Sequence, residues 1–112
     1  MSHFITVKVS AITDVKGAFS KASLITTSKA KGGKITFLSP PKTTVKGKFQ
    51  IISVRLFRPI TYINQTITLL TNETIDFGPL EFAGITNQLL VSGQTIPIQP
   101  EIEVIFEIKV EI

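Results

Sequence analysis

The residues able to do chemistry are few. His3 is the single histidine and stands beside the N-terminus, and cysteine is absent. The chain therefore has no thiol nucleophile, no imidazole base to activate a serine, and no second His or Cys with which to build a zinc or iron site. Lys31-Gly32-Gly33-Lys34 is the nearest approach to a phosphate-binding loop. It departs from that pattern at both ends: Ser28 stands where the first glycine belongs, and Ile35 follows the lysine in place of Ser or Thr. A flexible turn accounts for it.

The carboxylates offer little more. Glu101, Glu103, Glu107 and Glu111 share the polar side of one alternating segment, which reads as a solvated face and not as the paired acids of a glycosidase. Asp76 and Glu81 flank Gly78-Pro79, but two carboxylates without further oxygen ligands bind a cation weakly. Sugar recognition without catalysis would need aromatic platforms. The chain has no Trp and one Tyr, and Phe49 and Phe106 among its eight Phe fall at core-phased positions. Asn64-Gln65-Thr66 and Asn72-Glu73-Thr74 match the glycosylation acceptor pattern, which matters only on an exported or virion-borne protein. No catalytic residue, no metal site and no cofactor is expected, and the chain is not expected to be an enzyme.

Charge is distributed unevenly along the chain. Eleven of the twelve basic residues lie within residues 1–58, where Asp14 is the one acidic residue, and seven of the eight acidic residues lie in 59–112, where Lys109 is the one basic residue. The net +4 hides this separation. Lys29, Lys31, Lys34, Lys42, Lys46, Lys48, Arg55 and Arg58 are the candidate basic contacts, for the phosphates of nucleic acid or for an acidic protein surface. Glu101, Glu103, Glu107 and Glu111 are the candidate acidic face. Ten Lys against two Arg, with no interleaved aromatic residues, suits nucleic acid poorly.

The elements that must carry these groups are strands. The chain holds 17 Ile, 14 Thr and 8 Val among 112 residues, side chains stiff at χ1 that fit a pleated surface. From Glu101 to Ile112 the even positions Ile102, Val104, Phe106, Ile108, Val110 and Ile112 are apolar, and the odd ones are charged except at Ile105. That period of two predicts a long strand with its even side buried. Ile5, Val7, Val9 and Ala11 predict a first strand, and residues 45–57 a third whose apolar phase flips at Ile51-Ile52, as at a β-bulge or in a strand crossing between sheets. Further strands are expected near 60–71, 74–77, 80–82, 86–92 and 94–98. Val15, Ala18, Phe19 and Ala22 have helical spacing, but Gly17 interrupts it; a loop with one helical turn and a short strand near Ser23–Thr27 are expected. Residues 28–34 read as an exposed, flexible basic loop.

One domain over residues 1–112 follows, an all-β antiparallel sandwich resembling a jelly roll, with a small barrel as the alternative. No apolar run is long enough to span a bilayer, and no secretory leader is visible at the N-terminus. Charge complementarity between copies, with the out-of-phase Ile105 and Phe57, points to a stable, self-associating building block. A homo-oligomer or a complex with other structural proteins is expected, as a capsid, decoration or filament component in a virion or extracellular assembly. The alternatives are a basic nucleic-acid-binding module and a small ligand- or glycan-binding domain.

Overall fold

A computed structural model describes residues 3–54 and 58–112. Ten strands account for their regular structure: β1 (Phe4–Ile12), β2 (Ala18–Thr26), β3 (Lys29–Ala30), β4 (Gly32–Ser39), β5 (Thr44–Ser53), β6 (Thr61–Leu70), β7 (Thr74–Phe77), β8 (Leu80–Glu81), β9 (Thr86–Ile96) and β10 (Glu103–Glu111). One sheet has the order β1-β10-β4-β7 and a second β2-β9-β5-β6, while β3 and β8 pair apart from both. Both large sheets keep open edges, so this is a sandwich and not a closed barrel. Its order is that of an eight-stranded jelly roll.

The pairing is nested. β5 pairs with β6, β4 with β7, β3 with β8, β2 with β9 and β1 with β10, all antiparallel. The chain is thus one long hairpin, folded back between β5 and β6 and rolled into a slab of 38 × 36 × 18 Å. Each strand of the first half lies beside its counterpart from the second.

Alternation along the strands builds the core. In β10 the even positions Val104, Phe106, Ile108 and Val110 are all buried, as the period of two requires. The strand starts at Glu103 and not at Glu101, because Glu101 has a left-handed φ of 57° and sits in a turn pinned by its N–H to the Thr13 carbonyl at 3.1 Å. Phe106 is the hub between the sheets. Its ring lies 5.1 Å from that of Phe37 and 5.6 Å from that of Phe19, and Phe49 meets Phe77 at 5.2 Å. Burying each such side chain contributes about 1.5–3 kcal/mol.

Three expectations need correction. The stretch 13–34 contains no helical turn: Asp14 and Gly17 (φ 75°) close a tight turn, and a full nine-residue strand, β2, follows. Only Phe19 and Ile25 of β2 are buried, because it is an edge strand, and an edge strand shows little alternation. Residues 28–34, expected as a loop, are mostly paired: Lys29 and Ala30 face Glu81 and Leu80, and Gly33 and Lys34 face Phe77 and Asp76. Ala30 is 3% exposed. Finally, β5 does not change face or sheet. Val45, Phe49, Ile51 and Ser53 stay buried and its ladder with β9 runs unbroken. The bulge expected at Ile51-Ile52 is present only in the ladder with β6, where Ile51 faces Ile63 and Ile52 faces Thr61, so the extra residue is Tyr62. The apolar phase flips because Ile52 is left outside while Ser53 takes a core position, its Oγ accepting the Ile60 N–H at 2.7 Å. Phe57 lies outside the described residues.

Residues 86–96 form one strand where two were expected, running through Gly93. Gly93 faces Gly47 directly, on the inner side of the sheet. A Cβ on Gly47 would coincide with the Ser92 carbonyl, and one on Gly93 would come within 2.7 Å of the Lys46 carbonyl. The two backbones approach too closely for any side chain. Gly47→Ala is accordingly expected to destabilise the fold by about 1–3 kcal/mol, the range for forced overpacking. Gly84→Ala, where a Cβ meets nothing within 4 Å, should stay within about 0.5 kcal/mol of wild type. Denaturant midpoints of the two variants check this, and equal midpoints would refute the close-approach account.

Candidate assembly surfaces

Nested pairing decides where the charges go. Because the first half of the chain is basic and the second acidic, laying them side by side brings opposite signs together. Lys8 faces Glu107, Lys29 faces Glu81 and Lys34 faces Asp76 in the ladders. Directly opposed charges of this kind contribute about 0.2–1 kcal/mol each. Glu107 also has Lys109 two residues on, Oε1 to Nζ 3.7 Å. The outer side of the first sheet therefore interleaves Lys8, Lys34 and Lys109 with Glu103, Glu107, Glu111 and Asp76. Glu101, in the turn before β10, is exposed and apart from them. The expected acidic face is a mixed one.

The second sheet is different in kind. None of β2, β9, β5 or β6 contains a carboxylate, and their charges are Lys21, Lys46 and Lys48 alone. Lys46 and Lys48 project at even, outward positions between Gln94 and Thr68 and between Ser92 and Thr66. The rest of this face is Ser, Thr, Gln and Asn, interrupted by aliphatic residues. Leu70 and Ile96 flank Thr44 at one end and are 55% and 50% exposed; Leu24 is 59% exposed towards the other. Lys46 and Lys48 thus lie on the opposite side of the slab from Glu103 and Glu107, so these four residues cannot pair within one chain.

The remaining basic residues are dispersed. Lys29, Lys31 and Arg58 belong to connections at one end of the sandwich, Lys42 to a turn at the other, and Lys34 to the outer side of the first sheet. Arg55 lies outside the described residues. Among the described residues the structure does not gather the basic side chains into one surface. Two shallow, open troughs occur, of about 330 and 370 Å³. The first lies over Gly32 and Gly33 between Phe4 and Lys34, and the second beside Lys29 and Glu81. Among the described residues no three metal-ligating side chains cluster, and no helix is long and apolar enough to cross a membrane. Asn64 on β6 and Asn72 in the following turn are both exposed.

What the sequence did not disclose is the use made of its threonines at the end opposite the β5–β6 connection. Thr13 donates its hydroxyl to the Gln99 carbonyl at 2.6 Å and accepts the Ile102 N–H at 3.0 Å. Thr95 accepts the Gln99 N–H at 2.9 Å, and Gln99 donates its side-chain amide to Thr43 at 2.8 Å. Thr43 and Thr71 bond each other's backbones, Thr71 N–H to the Thr43 carbonyl at 3.1 Å and Thr43 N–H to the Thr71 hydroxyl at 3.3 Å. Thr13, Thr43 and Thr95 are almost wholly buried, and all four loops of this end are tied together. Asp14 secures the first of them: its carboxylate accepts the Ala18 and Lys16 N–H groups at 2.9 and 2.8 Å, which holds its pKa below the usual 3.8. The hydrogen bonds of this end act as a latch on its loops.

The chain matches no protein-family model and no curated protein in sequence.

Thr13→Val keeps the shape of the latch but strands the Gln99 carbonyl and the Ile102 N–H. A loss of about 1–3 kcal/mol in unfolding free energy is expected, with the mass in solution unchanged. A variant of wild-type stability would show that the loops are held by other means.

Proposed function

We propose that this protein is a non-enzymatic structural unit that associates with copies of itself or with other structural proteins, as in a capsid, a decoration layer or a surface filament. The observation that carries this is the outer face of the second sheet. It is without carboxylates and presents Leu24, Leu70 and Ile96 at outward strand positions, each at least half exposed. Half-exposed aliphatic side chains at both ends of a sheet face whose charges are Lys46 and Lys48 alone suit contact with another protein surface better than contact with water. The jelly-roll order supports the same reading by analogy of fold, since such sandwiches serve as capsid subunits, although they also serve as lectins and enzymes. Virion or extracellular assembly is the setting this role implies.

The basic residues argue less for nucleic acid than their number does. Three of them face carboxylates across ladders, and the others are spread over both ends and both sheets. A phosphate-tracking surface requires them together.

Light scattering over a concentration series is expected to give a mass above the monomer that persists through added salt, since apolar contacts resist screening. Replacing Leu24, Leu70 and Ile96 together by Ser should lower that mass while leaving cooperative unfolding intact, each change removing roughly 1–2 kcal/mol of apolar burial at a contact. A wild type monomeric at high concentration, or one whose mass rises only with nucleic acid and falls steeply with salt, would overturn the proposal.

A further inference from the structure

The sandwich has four edge strands, and three of them are guarded. β1 carries Lys8 at its middle, β2 carries Lys21 at a position in phase with the buried Phe19 and Ile25, and β7 has only four residues, one of them Asp76. Mid-strand lysines, inward-phased charges and short length are the devices by which proteins keep sheet edges from pairing with other chains. β1 and β2 also lie against each other and close their corner of the sandwich. β6 has no such charge and is long; its protection is confined to its start, where the bulge at Tyr62 lies and the Tyr62 hydroxyl accepts the Ala83 N–H at 2.6 Å. Its sequence, Thr61-Tyr62-Ile63-Asn64-Gln65-Thr66-Ile67-Thr68-Leu69-Leu70, is ten residues long with no charge and no proline. It pairs with β5 on one side, and among the described residues no strand pairs with it on the other. At this corner β6 and β7 barely touch, and Ile63 and Ile75 on the inner side are only half-buried.

We infer that β6 is the seam through which two copies of this chain join, pairing antiparallel with β6 of the second copy about a two-fold axis normal to the sheet at Ile67, so that Thr66 of each copy faces Thr68 of the other. This rests on the self-association proposed above and adds to the outer face of the second sheet a separate contact along its edge. The occupant is a second copy because of charge. A two-fold antiparallel seam sets each strand against itself, so any charged residue near its centre meets a like charge. β1 and β2 would oppose lysines in this way, whereas β6 opposes only threonines, amides and aliphatics. Antiparallel pairing in which facing residues share parity keeps both inner sides on one side of the joint. Two four-stranded sheets then become one of eight strands, the open corners are covered, and the unpaired backbone groups of β6 are satisfied.

Thr66 and Thr68 supply the test. Within the chain they face Lys48 and Lys46. The double variant Thr66→Glu, Thr68→Glu therefore gains two favourable pairs inside the monomer while setting glutamates against glutamates across the seam. Sedimentation equilibrium is expected to show association weakened by roughly tenfold or more, with thermal stability of the monomer retained. The matching variant Thr66→Lys, Thr68→Lys, made together with Lys46→Glu and Lys48→Glu so that the pairs within the chain stay favourable, should also associate weakly with itself. Mixed in equal amounts, the two variants should associate again, because glutamates now meet lysines. A wild type that associates, with both variants associating as strongly, overturns the seam but leaves self-assembly standing. A wild type that remains monomeric overturns both.

Discussion

The nested pairing of the two halves of the chain is the constraint on which the rest of the structure depends. Once β5 and β6 form the tip, every later pair is fixed by the one before it, out to β1 against β10. The separation of charge along the sequence makes sense only in this light. A basic half and an acidic half would be a liability in a fold whose halves packed as separate lobes, each repelling itself. Here they are laid strand against strand, and Lys8, Lys29 and Lys34 each find a carboxylate opposite. The asymmetry left over is one between sheets: the first carries both signs, and the second carries only lysines.

Closing a sandwich from such a hairpin puts two demands on side chains away from the ladders. At one end, four loops must cross between the sheets without losing the partners of their backbone groups, and buried threonines supply those partners. In the middle of the second sheet, two strands approach so closely that Gly47 and Gly93 must face each other. Neither demand is visible as apolar packing. Thr13, Thr43 and Thr95 are as buried as much of the core.

How much of this was legible in the sequence follows from what each feature depends on. β10 was readable because it is central, with one buried side and one polar side, and alternation then records burial directly. β2 was not, because an edge strand buries few residues and its remaining positions are free to be Ser, Lys or Ala. Of the two readings of the phase flip at Ile51-Ile52, the bulge is present and the crossing between sheets is not. A polar residue in the core, with its hydroxyl satisfied by Ile60, mimics a strand that has turned over. Of the candidate contacts, the charge segregation was plain, but its meaning depends on which strand faces which. The absence of charge from residues 61–70 could be read from the sequence, but that they form an edge could not, since edge and centre are properties of sheet order.

The same nested order bears on how the molecule comes into being. No large sheet can be completed by the first half alone, because every one of its strands pairs only with strands from beyond residue 60. At about 5–20 residues per second, translation of the second half takes roughly 3–11 s. During that interval the emerging segment carries eleven positive charges and one negative, a balance whose self-repulsion disfavours collapse. β1 is made long before its partner, and its ladder with β10 can zip only once β10 is free. Contacts so distant in sequence make for slow folding, and they also make completion all-or-none.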